Sequence, residues 1–286
     1  MTESGTPDGP TSSAGRRERW RAAVLQGAVG YAARADTGLE ALAADAARAG
    51  DTPIESLCRS TRASLLRQAG GHDKALILDA RALSVIGLPT GEGATDDGWA
   101  YAARLDALVG LAADNLGRFA FGASMRLLGR ARTLAGPVTD PATDREAGGS
   151  EAADWEAMDW ECGVRPRLRC EWVSAELDLY RGDPAAARTH AQAGLGLLET
   201  LPADRYTRHR VKTELIAAAV DAAAGRTDAA IERGQRCRQI TAASGLLPLE
   251  WAATALLGGL VSDPGIAADN QRLQAELTRR GMSFGR

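Results

Sequence analysis

The order of apolar and polar positions along the chain predicts helices that are joined in pairs. Four times, a small residue is followed after seven positions by a glycine and after five more by a second small residue. Apolar residues on both sides recur every three or four positions, which is the spacing of one helix face. Glycine ends the first helix, and the small side chains allow the two helices to approach closely. The four sets are Ala63/Gly70/Ala75, Gly110/Gly117/Gly122, Ala175/Gly182/Ala187 and Ala218/Gly225/Ala230.

The N-terminal part predicts a less regular helix pair. Residues 1–15 are rich in glycine, proline, serine and threonine, which is typical of a disordered tail. The first apolar period begins at Trp20, so we expect the first helix to start near Arg16. A second helix is expected to follow Asp36, a suitable N-cap, and to end at about Arg48. Terminal repeats are often irregular because one of their faces meets water.

An acidic segment interrupts the pattern at about residues 136–161. Hydrophobic periodicity is absent there, and eight carboxylates accompany a single arginine, Arg145. We expect a loop that is either disordered or functional, because structureless connections beyond about 12–15 residues are uncommon in compact domains. Helix pairs resume after this acidic insert and continue to about residue 281.

The bulk composition favours one all-α domain. Every periodic segment has a spacing of three to four, and none alternates with period two. A chain of 286 residues with 45% apolar content buries a large core. Since only 5% of the residues are aromatic, that burial depends on many small contacts between closely spaced helices.

Charge and targeting signals narrow the functional classes. The net charge of −3 argues against a dedicated nucleic-acid-binding protein. No stretch approaches the roughly 20 apolar residues of a membrane span, and the polar N-terminus has no signal core. The short basic segment 16–21 is too small for stable membrane attachment. We therefore expect a cytoplasmic protein. The strong preference for arginine over lysine is a separate signal, typical of a GC-rich bacterial genome.

No motif predicts catalysis, a cofactor or a metal site. The spacing of the four cysteines matches neither a redox pair nor a zinc site, so free thiols are expected. Glycine-rich phosphate loops and the His-Glu-x-x-His motif are also absent. The expected protein is therefore not an enzyme. The cysteines and the equally scattered histidines are Cys58, Cys162, Cys170, Cys237, His72, His190 and His209.

Three turns resemble those of tetratricopeptide repeats. The segments 70–76, 180–188 and 225–231 resemble the family's turn, in which glycine and aspartate are followed by three further residues, alanine and a hydrophobic residue. The chain resembles a divergent member, because its turn glycines lie 43 to 65 positions apart and the paired aromatic positions are mostly missing. The resemblance implies a right-handed α-solenoid of about five to six antiparallel helix pairs over residues 16–281. Its inner groove, formed by the first helix of each pair, is expected to bind a protein or peptide segment.

The resemblance also implies which residues line the groove. Arg104, Arg169 and Lys212 occupy one equivalent position in consecutive pairs, which suits an acidic segment or a carboxylate. The alternative is that they are ordinary solvated helix charges. The basic segment 208–212 is interpreted as a solvated helix face. The groove positions are Arg67, Arg104, Asp114, Asn115, Arg169, Trp172, Glu176, Tyr180 and Lys212.

Three tryptophans, Trp155, Trp160 and Trp172, crowd around the end of the acidic insert. They form either a binding hot spot or a seal of the insert against the helices, and we favour the seal. One further hypothesis makes the insert an autoinhibitory plug over the groove, with a solvated spacer as the alternative.

Two functions fit this sequence. The first is a scaffold or adaptor that binds a protein partner in the groove, and the partner's identity is not encoded in any motif. The second is a regulatory protein that senses a peptide or small molecule in the same groove. Both functions are compatible with a homodimer.

Overall fold

The computed structural model describes residue 9 and residues 11–88, 97–136, 159–199 and 201–284. Within these ranges the regular structure is entirely helical and no strand is present. The predicted all-α fold is therefore confirmed. The described part of the chain also has no helix that combines the length and the apolar character needed to cross a lipid bilayer.

Twelve α-helices follow one another in the described residues, and a short π-helical turn, Asp159–Val164, leads directly into the seventh. The helices are α1 (Ser13–Ala28), α2 (Ala32–Ala49), α3 (Thr52–Gln68), α4 (His72–Ile86), α5 (Gly98–Gly117), α6 (Phe121–Ala135), α7 (Arg165–Tyr180), α8 (Pro184–Glu199), α9 (Thr207–Ala223), α10 (Thr227–Ser244), α11 (Leu247–Leu260) and α12 (Pro264–Arg279).

The first two helices begin earlier than the sequence predicts. The Ser12 hydroxyl accepts a hydrogen bond from the Gly15 backbone N–H at 3.0 Å, so α1 already starts at Ser13 and the end of the predicted tail is helical. Asp36 does not cap α2. Its carboxylate instead accepts a hydrogen bond from Arg62 on α3 at 2.7 Å, and the helix begins four residues before it.

Residues 159–161, the last of the expected acidic insert, are helical. They belong to the π-helical turn, which continues into α7 without a break. Residues 137–158, on which the disordered-loop and plug hypotheses depend, lie outside the described residues.

The alanines of three of the four sets are fully buried, whereas Gly122 of the second set is exposed and Gly110 lies against Asp79 of α4. Gly182 and Gly225 follow α7 and α9 with φ of +76°, a conformation that side chains with a Cβ avoid. Fully buried alanines of the repeat are Ala63, Ala75, Ala175, Ala187, Ala218 and Ala230.

The second set uses its glycine differently. Gly117 ends α5 as predicted, but the residue with positive φ is Phe119, at +59°. A Cβ on Gly117 would lie 2.2 Å from Cε1 of His72, the first residue of α4. Gly117 is therefore required for the close approach of a histidine ring rather than for the turn.

The last two helices return to the first two and close the series into a ring. The backbone N–H of Ala33 donates to the Arg280 carbonyl at 3.2 Å, and Arg280 Nη1 donates to the Val29 carbonyl at 2.9 Å. An apolar cluster seals the same junction. It contains Ala32, Ala69, Leu247, Trp251, Leu277, Met282 and Phe284.

Candidate functional site

A central cavity of about 1240 Å³ lies inside the ring. The first helix of each pair, namely α1, α3, α5, α7, α9 and α11, contributes to its wall. This volume exceeds the roughly 300–1,000 Å³ that is typical of a small-molecule pocket. The cavity is thus large enough for a short peptide or a sizeable metabolite.

Basic side chains outnumber acidic ones on the described wall of the cavity. Aromatic rings lie between them, so the wall offers both charge and apolar contact. The basic residues of the wall are Arg21, Arg67, Arg165, Arg169, Arg205, Arg208 and Lys212. Its acidic residues are Asp106, Glu161 and Glu176. Its aromatic residues are Trp20, Trp160, Trp172, Tyr180, Tyr206 and Trp251.

Asp106 on α5 pairs with two arginines of α7. Arg165 Nη1 donates to Asp106 Oδ2 at 2.7 Å, and Arg169 Nη1 contacts Asp106 Oδ1. Burial by itself raises the pKa of this carboxyl, but the two guanidinium groups outweigh it and hold the pKa below its usual value. Arg165 also lies over the Trp20 ring at 5.4 Å, while its buried Nε and Nη2 have no acceptor in the described structure.

Arg208, on the first turn of α9, has no carboxylate partner among the described residues. Desolvation and the positive charges of Arg169 and Arg165 lower the pKa of Arg208 to about 10. The neighbouring His209 has a pKa well below its usual value for the same reasons, chiefly desolvation, so it is neutral at pH 7. The two arginines and Arg208 thus form an arginine cluster with a single aspartate to balance it.

Arg67 on α3 bridges two buried aspartates. Its Nη1 lies 2.9 Å from Asp114 Oδ1 and also contacts Asp79 Oδ2. Gly110 makes room for this arrangement, because a Cβ there would lie 2.3 Å from Asp79 Oδ2. Burial and the nearby Asp79 raise the pKa of Asp114 to about 7 despite Arg67, and burial also raises the pKa of Asp79.

The other two acids of the wall are also paired. Glu161, in the π-helical turn, accepts a hydrogen bond from Arg21 Nε of α1 at 2.7 Å. Glu176 on α7 pairs with Lys212 on α9 at 2.8 Å. Glu161 belongs to the acidic insert but is buried, and its pair with Arg21 links the turn before α7 to α1.

Six of the nine residues predicted for the groove lie on the cavity wall. Asp114 lies behind Arg67, and Asn115 donates to the Leu111 carbonyl of its own helix at 2.8 Å. Arg104 donates to the Gly87 carbonyl at 2.8 Å, so it does not share a column with the cations on α7 and α9. The six wall residues are Arg67, Arg169, Trp172, Glu176, Tyr180 and Lys212.

Two of the three clustered tryptophans are buried in the wall. Trp160 stacks on Tyr206 with 3.9 Å between ring centroids, and Trp172 Nε1 donates to the Thr213 hydroxyl at 2.9 Å. Trp160 thus packs the π-helical turn against the residue before α9, and Trp172 joins α7 to α9. Trp155 lies outside the described residues.

The sequence interpretation missed the most unusual part of the site. Segment 208–212 does not form a solvated face, because Arg208, His209 and Lys212 line the cavity. Tyr206, with φ of +59°, turns the chain so that α9 starts at the wall. The sequence did contain a signal for this position. The repeat makes α9 the first helix of its pair, and the first helices line the groove.

The cysteines are free and buried, as predicted. Burial raises the pKa of Cys58 and Cys162 to about 12 and that of Cys170 and Cys237 to about 11, so none is a reactive thiolate at pH 7. Within the described ranges, no three histidine, cysteine or acidic side chains are grouped as metal ligands. Comparison with known proteins finds neither a family model that matches the chain nor a similar curated protein.

Proposed function

We propose that this chain is a non-enzymatic, tetratricopeptide-like binding protein that holds a peptide-sized or smaller ligand inside its central cavity. The observation that supports this proposal is the closure between α12 and α1–α2, which gives the inner surface a fixed perimeter. An open groove would suit a long partner segment, whereas a closed one limits the size of its ligand. The proposal therefore favours the sensor over the scaffold.

The chemistry of the wall supports an anionic ligand with apolar parts. Arginine donates two parallel hydrogen bonds to an oxyanion and is less costly to desolvate than lysine. Tryptophan and tyrosine supply flat apolar contact at little cost in conformational entropy. The free cysteines are in keeping with a reducing cytoplasm, where the proposal places the protein.

The proposal is tested by native mass spectrometry of the protein purified gently from its host. We expect a mass adduct that disappears after unfolding. Ala219→Phe fills part of the cavity and should abolish the adduct. Ala223→Phe adds the same ring at an exposed position of the same helix and should retain it. Equal occupancy in both variants, or no adduct in the unmodified protein, contradicts the proposal.

A second candidate function, the protein scaffold, is favoured by an exposed aromatic cluster. Phe119 is 69% and Tyr180 59% exposed, and their rings meet edge to face at 6.1 Å. Phe121 contacts both rings. Exposed apolar side chains that lie together are typical of protein interaction sites.

The scaffold function is tested by affinity purification with three forms of the protein. A partner that binds the unmodified chain and Ile77→Ser, but not Phe119→Ser with Tyr180→Ser, would support it. Ile77 is a suitable control because it is also an exposed apolar residue, on α4. A partner lost equally from all variants would contradict it.

A further inference from the structure

We infer that the arginine cluster, at Arg169 and Arg208, binds the phosphate group of a small organic ligand. The inference rests on the proposed function, and it adds the chemical class of the ligand. The site lies between α7 and the first turn of α9, on the wall of the central cavity.

The charge balance of the cluster calls for two negative charges. Arg165, Arg169 and Arg208 carry three positive charges, and among the described residues Asp106 is the carboxylate that forms ion pairs with this cluster. His209 adds none at pH 7, because its pKa is well below its usual value. A phosphate monoester carries nearly two negative charges at this pH, since its second pKa is about 6. A single carboxylate or sulfate ester would leave one positive charge unbalanced.

Arg208 is the residue that most needs this ligand. Arg208 is half-buried, and such a cation without a carboxylate partner among the described residues is costly, which two like charges nearby make worse. Its lowered pKa shows the same effect. Arg169, by contrast, is held in place by Asp106, so one arginine of the site is positioned in advance and the other awaits an anion.

The start of α9 adds donors at the same place. Tyr206 precedes the helix and its side chain makes no capping hydrogen bond. The first backbone N–H groups of a helix have no acceptor within the helix, and its dipole favours anions there. Thr207 and Arg208 lie in this first turn and both line the cavity. The backbone N–H groups, the Thr207 hydroxyl and the Arg208 guanidinium thus all belong to one helical turn beside the cavity, and phosphate sites at helix N-termini use such donors.

The wall next to the cluster suits an apolar organic part. Trp172 and Val173 follow Arg169 on α7, and Leu249 and Ala252 of α11 also line the cavity. A free phosphate ion would leave these surfaces in contact with water only. A phosphate ester places its charged group at the arginines and its organic part against the apolar wall.

The inference is tested by calorimetric titration with phenyl phosphate and phenyl sulfate at pH 8 and constant ionic strength. The two probes have the same shape but differ by one negative charge. We expect phenyl phosphate to bind at least tenfold more tightly, and Arg208→Gln to remove that difference. Arg188→Gln removes an exposed charge from α8 and should leave it unchanged.

A folding defect is controlled by the melting temperature. Arg208→Gln should melt no lower than the unmodified protein in phosphate-free buffer, because it removes an unpaired charge. Titration with inorganic phosphate then separates the two sources: weaker binding than phenyl phosphate indicates an ester, and equal binding indicates the free ion. Equal affinities for phenyl phosphate and phenyl sulfate, or full phosphate binding by Arg208→Gln, would overturn the inference. A ligand found by native mass spectrometry that lacks phosphate would overturn it too, while the proposed function would stand.

Discussion

Arg280, just after α12, donates a hydrogen bond from Nη1 to the carbonyl oxygen of Val29, 251 positions earlier in the chain, at 2.9 Å. The same guanidinium lies over the Tyr31 ring, 4.5 Å from its centroid. One side chain therefore supplies two of the polar contacts that join the end of the helix series to its beginning. The cavity depends on this junction, because without it the inner surface would be an open groove.

The junction predicts a specific loss of stability. Arg280→Gln removes a charge-assisted hydrogen bond to Val29 and the contact with Tyr31, so we expect a destabilisation of about 1–3 kcal/mol. Arg279→Gln is the matched control, since this neighbour is exposed and shares with Arg280 an ion pair to Glu276 of the same helix, without the contacts to Val29 and Tyr31. Chemical denaturation measures both. Equal unfolding free energies for the two variants would show that the junction contributes nothing.

The contact between Gly117 and His72 predicts a rescue by a second mutation. Gly117→Ala inserts a methyl group that would overlap the histidine ring, so it should destabilise the protein by about 1–3 kcal/mol. His72→Ala creates space, and the double variant should recover most of that loss.

Gly129 provides the control for this pair. It lies within α6 and a Cβ there meets nothing within 4 Å, so Gly129→Ala should stabilise the protein by about 0.5–1 kcal/mol. If Gly117→Ala also stabilised the protein, the close approach of His72 would be wrong.

The buried Asp114 predicts a pH dependence with a definite sign. Its pKa is raised to about 7 in the folded protein, whereas an unfolded aspartate has a pKa of about 3.9. The folded state therefore holds the proton more tightly. The stability from this group is complete below about pH 4 and is lost as the pH rises through about 7.

Asp114→Asn should remove this dependence. Relative to the unmodified protein, the variant should gain up to about 1 kcal/mol of stability per pH unit between pH 5 and pH 7. Asp73→Asn is the control, because Asp73 is 85% exposed. Urea denaturation at several pH values gives the comparison, and parallel curves for the unmodified protein and Asp114→Asn would refute the assignment.

The turn glycines predict a backbone effect. Gly225→Val places a β-branched side chain at φ of +76°, with open space around it, so the cost of roughly 1–2 kcal/mol comes from the backbone alone. Arg226→Ala removes a partly exposed ion pair with Asp221 and should lower the melting temperature less. A larger effect of Arg226→Ala would contradict this interpretation of the turn.

Local periodicity was enough to predict the helices, and it even located turns such as the one at Gly182. It did not predict the closure of the ring, because Arg280 and Val29 are joined by the accumulated angles between twelve helices, and each angle depends on side-chain packing. The groove residues of α7 followed from the repeat register.

Arg208 and Glu161 were misinterpreted for another reason. Charged residues in basic or acidic runs are most often solvated, but Arg208 is half-buried on the cavity wall between α7 and α9, and Glu161 is buried beside Arg21 of α1. A single sequence does not show which charged run faces the inside of a tertiary structure. Arg104 was expected in the groove but is not part of the cavity wall, for a related reason. Its contact with the Gly87 carbonyl depends on how α4 and α5 pack.

The closure of the ring is tested most directly by a distance between spin labels at Arg34→Cys and Arg279→Cys. Both positions are exposed, and the four native cysteines are buried, which favours labelling of the new ones. The backbones beside the labels touch, as Ala33 N–H donates to the Arg280 carbonyl at 3.2 Å. Pulsed electron spin resonance should therefore give a single, narrow distribution at short distance in the ligand-free protein. A broad distribution at long distance would mean an open series of helices and would contradict the closure of the ring.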